Sequence, residues 1–326
     1  MFKDCFEAST LIGVAIGGQT MKQLESGSGI TSTHSSAVVA IIGFIVVAFM
    51  LSTNNIVARA NAGEIPSFSL AFFRWMTVAF GLAPFAVREI REKWSAISPR
   101  KGMVAIAGFC GVFLCGGPVY EAAVTTTAIN IGLIMAATPV NVLLIAWCLG
   151  LEEVKPVQLI SVVVALAGVA LILSRGSLET LTSISFVPGD IIVLIAMLGW
   201  TVYNLLEVRA LPGVSSIPRT CLYAATGAAF SLPLCVREAL QDPNAVFSAH
   251  AFTTYLFLAV VPGFGAYAGF AFLGGKFGSV RASLVTYVLP ISIVVLSILF
   301  LGEGPAVYHI VGGLLILAAV WLSVRR

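Results

Sequence analysis

From residue 37 to its end, the chain is an almost unbroken succession of apolar runs, and one long motif occurs twice. The first copy starts at Thr138-Pro139, passes Leu149-Gly150-Leu151-Glu152 and continues through a second apolar run to Arg175. The other starts at Leu289-Pro290, passes Phe300-Leu301-Gly302-Glu303 and ends at Arg326. Pro139, Glu152 and Arg175 map onto Pro290, Glu303 and Arg326 at one shift of 151 residues. Apolar runs of ~20 residues have the length of a bilayer-spanning helix. Backbone groups in lipid must pair within the protein, which makes helices the solution for a chain this continuously apolar. Each acidic turn then sits in water at a membrane face. Internal repeats of this kind are how many transporters are built.

Composition excludes an ordinary soluble fold. Hydrophobic residues make up 59% of the 326 and charged residues 10%, where soluble domains average about 25% charged. Mean hydropathy is +1.01. A net charge of +3 is too small to point to nucleic acid. The six cysteines are scattered, mostly within apolar runs, with no C-x-x-C pair and no metal-ligand spacing. They read as small packing residues, and no metal or cofactor is expected.

Residues 1–36 read as a disordered cytoplasmic tail. Its apolar piece, Leu11 to Gly18, is too short to span, and Ser26 to Ser36 is rich in Ser, Thr and Gly. Two alternatives remain for this segment: a signal peptide with a weak charged start, or a mis-called start with Met21 as the true one. Ten spans are expected after it, near 37–58, 68–87, 102–122, 127–149, 157–174, 189–208, 219–236, 250–272, 279–301 and 305–324. The connections leave no room for a soluble domain. With the N-terminus inside, only Arg59, Arg175 and Arg237 fall on the outer side. Arg74 lies in a span, and all the rest of the 18 Lys and Arg are inside. That bias places both termini in the cytoplasm.

Earlier segments echo as well. Asn54 and Arg59-Ala60 return as Asn204 and Arg209-Ala210, and Val87-Arg88-Glu89 as Val236-Arg237-Glu238. Five spans per half is an odd number, so the second half must be inverted relative to the first. The expected fold is therefore an all-α integral membrane protein of ten transmembrane helices. It is built as two inverted five-helix repeats, 37–175 and 189–326. Such repeats place a substrate site near the bilayer midplane, between the halves.

With these features the chain resembles the drug/metabolite transporter superfamily in its ten-helix EamA-type branch. The resemblance rests on Phe73-Arg74-Trp75 opening the second span, Thr138-Pro139 with Leu149 to Glu152, and Leu289-Pro290 with Phe300 to Glu303. It covers residues 37–326. It implies bundled helices around a central cavity and export of small metabolites by alternating access. The family handles amino acids, nucleosides, drugs and other small solutes. The second half departs from the pattern, with Cys221-Leu222-Tyr223 where the first has Phe73-Arg74-Trp75, so Arg74 has no symmetric counterpart.

Ionisable residues inside a membrane are costly and often functional. Arg74 either holds a substrate carboxylate or phosphate, or ties helix ends by donating to backbone carbonyls. Glu121 and Glu207 lie near enough to span ends to stay hydrated, and Asp190 complements a helix N-terminus. No Asp, Glu or His lies near the middle of a span, which favours passive efflux or exchange over a proton-coupled pump. Asn54, Asn55, Asn130, Asn141 and Asn204 either glue helices or face a cavity. Trp200, Tyr203 and Asn204 share one helix face at i, i+3 and i+4. Tyr120, Tyr267 and Tyr287 fall at similar depths. The expected cavity lining is Asn54, Arg74, Tyr120, Trp200, Tyr203, Asn204, Tyr267 and Tyr287. Pro118, Pro139, Pro262 and Pro290 are expected kinks or hinges, whereas Gly265 and Gly269 read as close-packing residues.

The functional expectation is a multi-pass permease of the cell inner (plasma) membrane that exports small organic metabolites such as amino acids. Its partners are a small-molecule substrate and membrane lipid, without nucleic acid; the oligomeric state is open, and a monomer suffices. Other classes would leave different traces. A lipid-modifying membrane enzyme would need an aspartate-rich motif or a His pair, neither of which is present. A non-transporting accessory or sensor protein would keep the helices without flux. A small-ion channel would need a ring of charges or a filter-like loop.

Overall fold

Every described regular element is helical, as a backbone that must satisfy itself in lipid requires. The computed structural model describes residues 31–148, 156–177, 187–206, 209–266, 269 and 285–324. The chain divides into units 1–42 and 43–326. Only the start of one helix is described in the first, and the packing below is that of the second. In chain order the principal helices are α1 (Thr31–Ala60), α2 (Ser67–Glu92), α3 (Lys101–Gly108), α4 (Gly117–Ala122), α5 (Ala128–Ala136) and α6 (Thr138–Cys148). They continue as α7 (Pro156–Leu173), α8 (Pro188–Leu206), α9 (Ser216–Gln241), α10 (Ala249–Leu258), α11 (Val285–Leu296) and α12 (Val307–Val324). Wider π-helical turns extend α3, α10 and α11 over Phe109–Phe113, Ala259–Gly265 and Ser297–Leu301.

Among the described residues, Ile42–Ala60, Ser67–Glu92, Trp94–Ala122 and Pro188–Leu206 are long and apolar enough to cross a membrane. Leu159–Ile172, Ala249–Gly265, Val288–Leu301 and Val307–Ala319 are shorter apolar helices. Large apolar side chains such as Phe80, Phe85, Val163, Leu299 and Phe300 point outward, each at least two-thirds exposed. Such a surface suits lipid as the surrounding solvent.

Some ends differ from expectation. α1 begins at Thr31, so residues 31–36, expected in a disordered tail, are helical. α2 and α9 overrun their expected ends at 87 and 236 to reach Glu92 and Gln241. The third expected span is broken: its first part runs through the π turn, Gly116 leaves helical geometry (φ −104°, ψ −102°), and α4 restarts with Pro118 in its first turn. Proline fits there because the first turn has no use for its missing N–H. The fourth span breaks between Ala136 and Thr138, beside Pro139. Pro262 lies inside a π turn. Pro290 lies within α11, which continues through it.

Two helix pairs dominate the packing, α2 with α9 and α7 with α12. The members of each pair match in length, 26 residues for α2 and α9 and 18 for α7 and α12. The first pair runs antiparallel, and each helix ends on the other's start. Glu238, near the end of α9, accepts from the backbone N–H of Phe68 (3.1 Å) and Ser69 (2.7 Å) and from the Ser69 hydroxyl (2.7 Å). Glu89, near the end of α2, accepts from the N–H of Ser215, the N-cap of α9, at 2.8 Å. First-turn N–H groups lack partners within their own helix, so each carboxylate satisfies what the other helix leaves open.

α7 and α12 are held by backbone proximity instead. A β-carbon at Gly168 would lie 2.8 Å from the Gly312 carbonyl oxygen, and one at Gly312 would lie 2.9 Å from that of Gly168. Lipid offers no hydrophobic drive between helices, so small residues that let backbones approach supply the attraction. Gly265 and Gly269 do the same against Met50 and Val47 of α1.

Candidate functional site: a buried arginine among three helices

Arg74 lies on α2, about two turns from its start. It is 6% exposed, and no other Lys or Arg among the described residues is buried. Its Nη1 donates to Asn54 Oδ1 on α1 and to the Tyr120 hydroxyl on α4, both at 2.6 Å. Tyr120 donates in turn to Asn54 Oδ1 at 2.8 Å. Three residues read separately from the sequence thus form one closed triangle. The guanidinium carbon also lies 4.7 Å from the centre of the Trp75 ring, a cation–π distance.

The triangle bears on the helix-tying reading of Arg74. Its partners are side chains, so it does not tie helix ends through backbone carbonyls. Arg59 does so instead, because its Nη1 donates to the carbonyls of Ala123 (2.6 Å) and Val124 (3.3 Å), just beyond α4. Among the described residues, Arg74 also lacks a carboxylate within ion-pair distance. A cation at the centre of a membrane helix costs about 2.5–3.5 kcal/mol on insertion scales. An amide oxygen and a hydroxyl oxygen solvate the charge here without neutralising it. The Arg74 Nε–H and the Trp75 indole N–H are both buried and make no hydrogen bond among the described residues.

The remaining expected cavity residues are placed differently. Trp200 and Tyr203 stack on each other at 4.9 Å, and Tyr203 meets Tyr223 edge-on at 5.8 Å. The Tyr203 ring presses on Gly111, where a β-carbon would come within 2.3 Å of it. Asn204 is exposed and donates back to the Trp200 carbonyl of its own helix at 2.6 Å. It does not repeat the part that Asn54 plays. Tyr267 and Glu207 lie outside the described residues, and Tyr287 is described only by its place in α11. An open groove of about 500 Å³ lies beside Val87, Ile90, Arg91 and Trp94. It is roughly 25 Å along α2 from Arg74, at 1.5 Å per residue.

Two polar clusters bring together residues that the sequence shows only separately. Asp190 is fully buried; it accepts from the Thr126 hydroxyl and from Asn130 Nδ2 at 3.1 Å. Asn130 Oδ1 accepts from His309 Nε2 at 2.9 Å. The proton must sit on that nitrogen, because His309 Nδ1 accepts the Ala306 N–H. The chain Asp190–Asn130–His309 thereby links α8, α5 and α12. Beside it Glu303 pairs with Arg59 at 3.1 Å and accepts the Ala128 N–H at the start of α5, also at 3.1 Å. The Glu303 side chain is only 14% exposed, so the acidic turn expected in water is folded inward onto Arg59. A partner 244 residues away explains the difference.

These groups sort by end of the bundle. Connections carrying Arg59, Ala123 and Glu303 meet at one end. At the other, Lys93 reaches the Gly213 carbonyl and pairs with Glu89, which holds Ser215. The described connections thus gather in two groups.

Comparison with known proteins agrees. The EamA-like transporter family matches the chain twice, over residues 38–174 and 187–325. An uncharacterized transporter of Archaeoglobus fulgidus is 24% identical over 81% of this chain and 89% of its own length. The uncharacterized transporter YetK of Bacillus subtilis is 23% identical over 85% and 84%. A protein of Streptantibioticus cattleyicolor, described as a probable terminal-alkyne amino-acid exporter, is 30% identical over 77% of this chain and 80% of its own. One solved crystal structure aligns with 89% of this chain and 97% of its own at a TM-score of 0.55. At 20% identity that likeness concerns fold alone.

Proposed function

Because the chain belongs to the EamA-like transporter family of the drug/metabolite transporter superfamily, a multi-pass membrane transporter and not an enzyme, we propose that it exports small organic metabolites by alternating access. Amino acids or similar solutes are the first class to test. The relative whose name includes amino-acid export favours them. In this reading ten helices form two inverted halves, 37–175 and 189–326, in the inner membrane with both termini cytoplasmic. The cavity lies between the halves and is lined by Asn54, Arg74, Tyr120, Trp200 and Tyr203.

One observation carries the reading. Helices at matching places in the two halves pack against each other, and α2 and α9 do so antiparallel with crossed carboxylate caps. Inverted halves that meet along such pairs can rock about the shared helices, opening the site to one side at a time. The Arg59–Glu303 pair then lies at the outer end and closes it.

Counterflow tests this. Purified protein in liposomes, loaded in turn with amino acids, nucleosides and cationic drugs, should accumulate the labelled form of one class without an ion gradient. Flux that appears only with an imposed proton gradient would replace facilitated exchange by coupled transport. Absence of flux in both conditions would favour an accessory role.

A further inference from the structure

We infer that Arg74 and Trp75 form the receptor for a carboxylate on the transported solute, so the substrates are small organic monoanions or zwitterions. The inference rests on the transport reading above and adds the chemical class.

Three observations meet at this point. The first is an unbalanced charge: Arg74 is buried, and no acid among the described residues pairs with it. Buried guanidinium groups are normally paired, because the charge keeps its desolvation cost otherwise. The second is unused donor capacity. Among the described residues Nη1 of the guanidinium is engaged by Asn54 and Tyr120, while the buried Nε–H has no acceptor. The third is a second orphan donor next to it, the Trp75 indole N–H, on a ring that the guanidinium touches. Both open groups are donors, so the missing partner is an acceptor; the charge makes that acceptor an anion. Asn54 and Tyr120 hold the fork by one nitrogen, so its remaining N–H groups could meet a carboxylate through two hydrogen bonds once alternating access opens space beside them.

The charge count selects carboxylate over phosphate. Arg74 brings one positive charge, and no second buried Lys or Arg stands among the described residues. A carboxylate is neutralised by it, whereas a phosphate dianion would remain half-compensated in a water-poor site.

Proteoliposomes of the full chain test the inference by counterflow with L-phenylalanine, L-leucine, their amides, uridine and glycerol 3-phosphate. Carboxylate solutes are expected to exchange, and their amides should neither exchange nor compete. Arg74→Gln should lower carboxylate flux about 10- to 100-fold, the loss of a charge-assisted hydrogen bond. Trp75→Phe keeps the ring and removes only its donor, so it should raise KM for the carboxylate while Vmax holds. That variant preserves the test if Arg74→Gln fails to fold. Flux of amides or uridine that is equal in wild type, Arg74→Gln and Trp75→Phe would overturn the receptor and leave the transporter standing. Preference for glycerol 3-phosphate would overturn the carboxylate class. No flux of any solute in wild type, with or without an imposed proton gradient, would overturn the transport reading, and this inference with it.

Discussion

Gly168 and Gly312 lie backbone against backbone, each where the other's β-carbon would have to be. A methyl group on either glycine forces α7 and α12 apart along their whole crossing.

Gly168→Ala and Gly312→Ala should therefore each destabilise the protein by about 1–3 kcal/mol, the usual cost of overpacking. The double variant should cost less than the sum, because one separation relieves both clashes. Thermal unfolding in detergent, followed by loss of monodisperse protein, measures this. Unchanged stability in both single variants would mean that the pair packs less closely.

Asn130 orients two buried groups at once, so it should be far less replaceable than its neutral side chain suggests. Asn130→Ala leaves Asp190 without its amide donor and His309 without its acceptor, a loss of about 1–3 kcal/mol for each buried group left unsatisfied. Asn130→Asp should be worse, since a carboxylate would face Asp190 directly. Thermal unfolding of the two variants in parallel orders them. Equal stability would show that water substitutes for the amide.

The Arg59–Glu303 pair predicts a conformational effect. Ala128 is fully buried, with its N–H bound to Glu303. A cysteine at Ala128 should react slowly with a membrane-impermeant maleimide, and Glu303→Gln should speed labelling from outside about two- to fivefold, the scale of a partly exposed ion pair. Unchanged labelling would remove the pair from the closing mechanism.

The orientation has its own test. The Arg88 side chain is 89% exposed and that of Glu64 is 72% exposed. With the proposed inverted topology, a cysteine at Arg88 should be labelled only from the cytoplasm and one at Glu64 only from outside. The reverse pattern would turn the molecule over.

Helices, the repeated motif and several polar residues stand out in the sequence because each leaves a local trace. Apolar runs announce spans. The Val-Arg-Glu triplets at 87–89 and 236–238 announce repeat-related positions, and their glutamates prove to be the crossed caps of α2 and α9. Asn54, Arg74 and Tyr120 each stand out as polar groups in apolar runs. Their meeting is not legible, because 20 and 46 residues separate Arg74 from its partners and no periodicity links three helices. Asn204 shows the limit of symmetry arguments. It repeats Asn54 in sequence, but in α9 the place that Arg74 holds in α2 falls to Tyr223, and Asn204 turns to its own backbone. Asp190 and His309 look like ordinary helix-end residues, since only the fold brings Asn130 between them. Glu303 looks hydrated because acidic turns usually are, and its partner Arg59 lies near the opposite end of the chain.

The crossed caps also set a schedule for biogenesis. Phe68 receives its acceptor from a residue 170 positions later. At 5–20 residues per second, α2 waits roughly 10–30 s in the bilayer before Glu238 has been made. During that interval the first turn of α2 must remain at the water surface, where solvent serves its free N–H groups. Glu238 then takes over from solvent as their acceptor once α9 has been made.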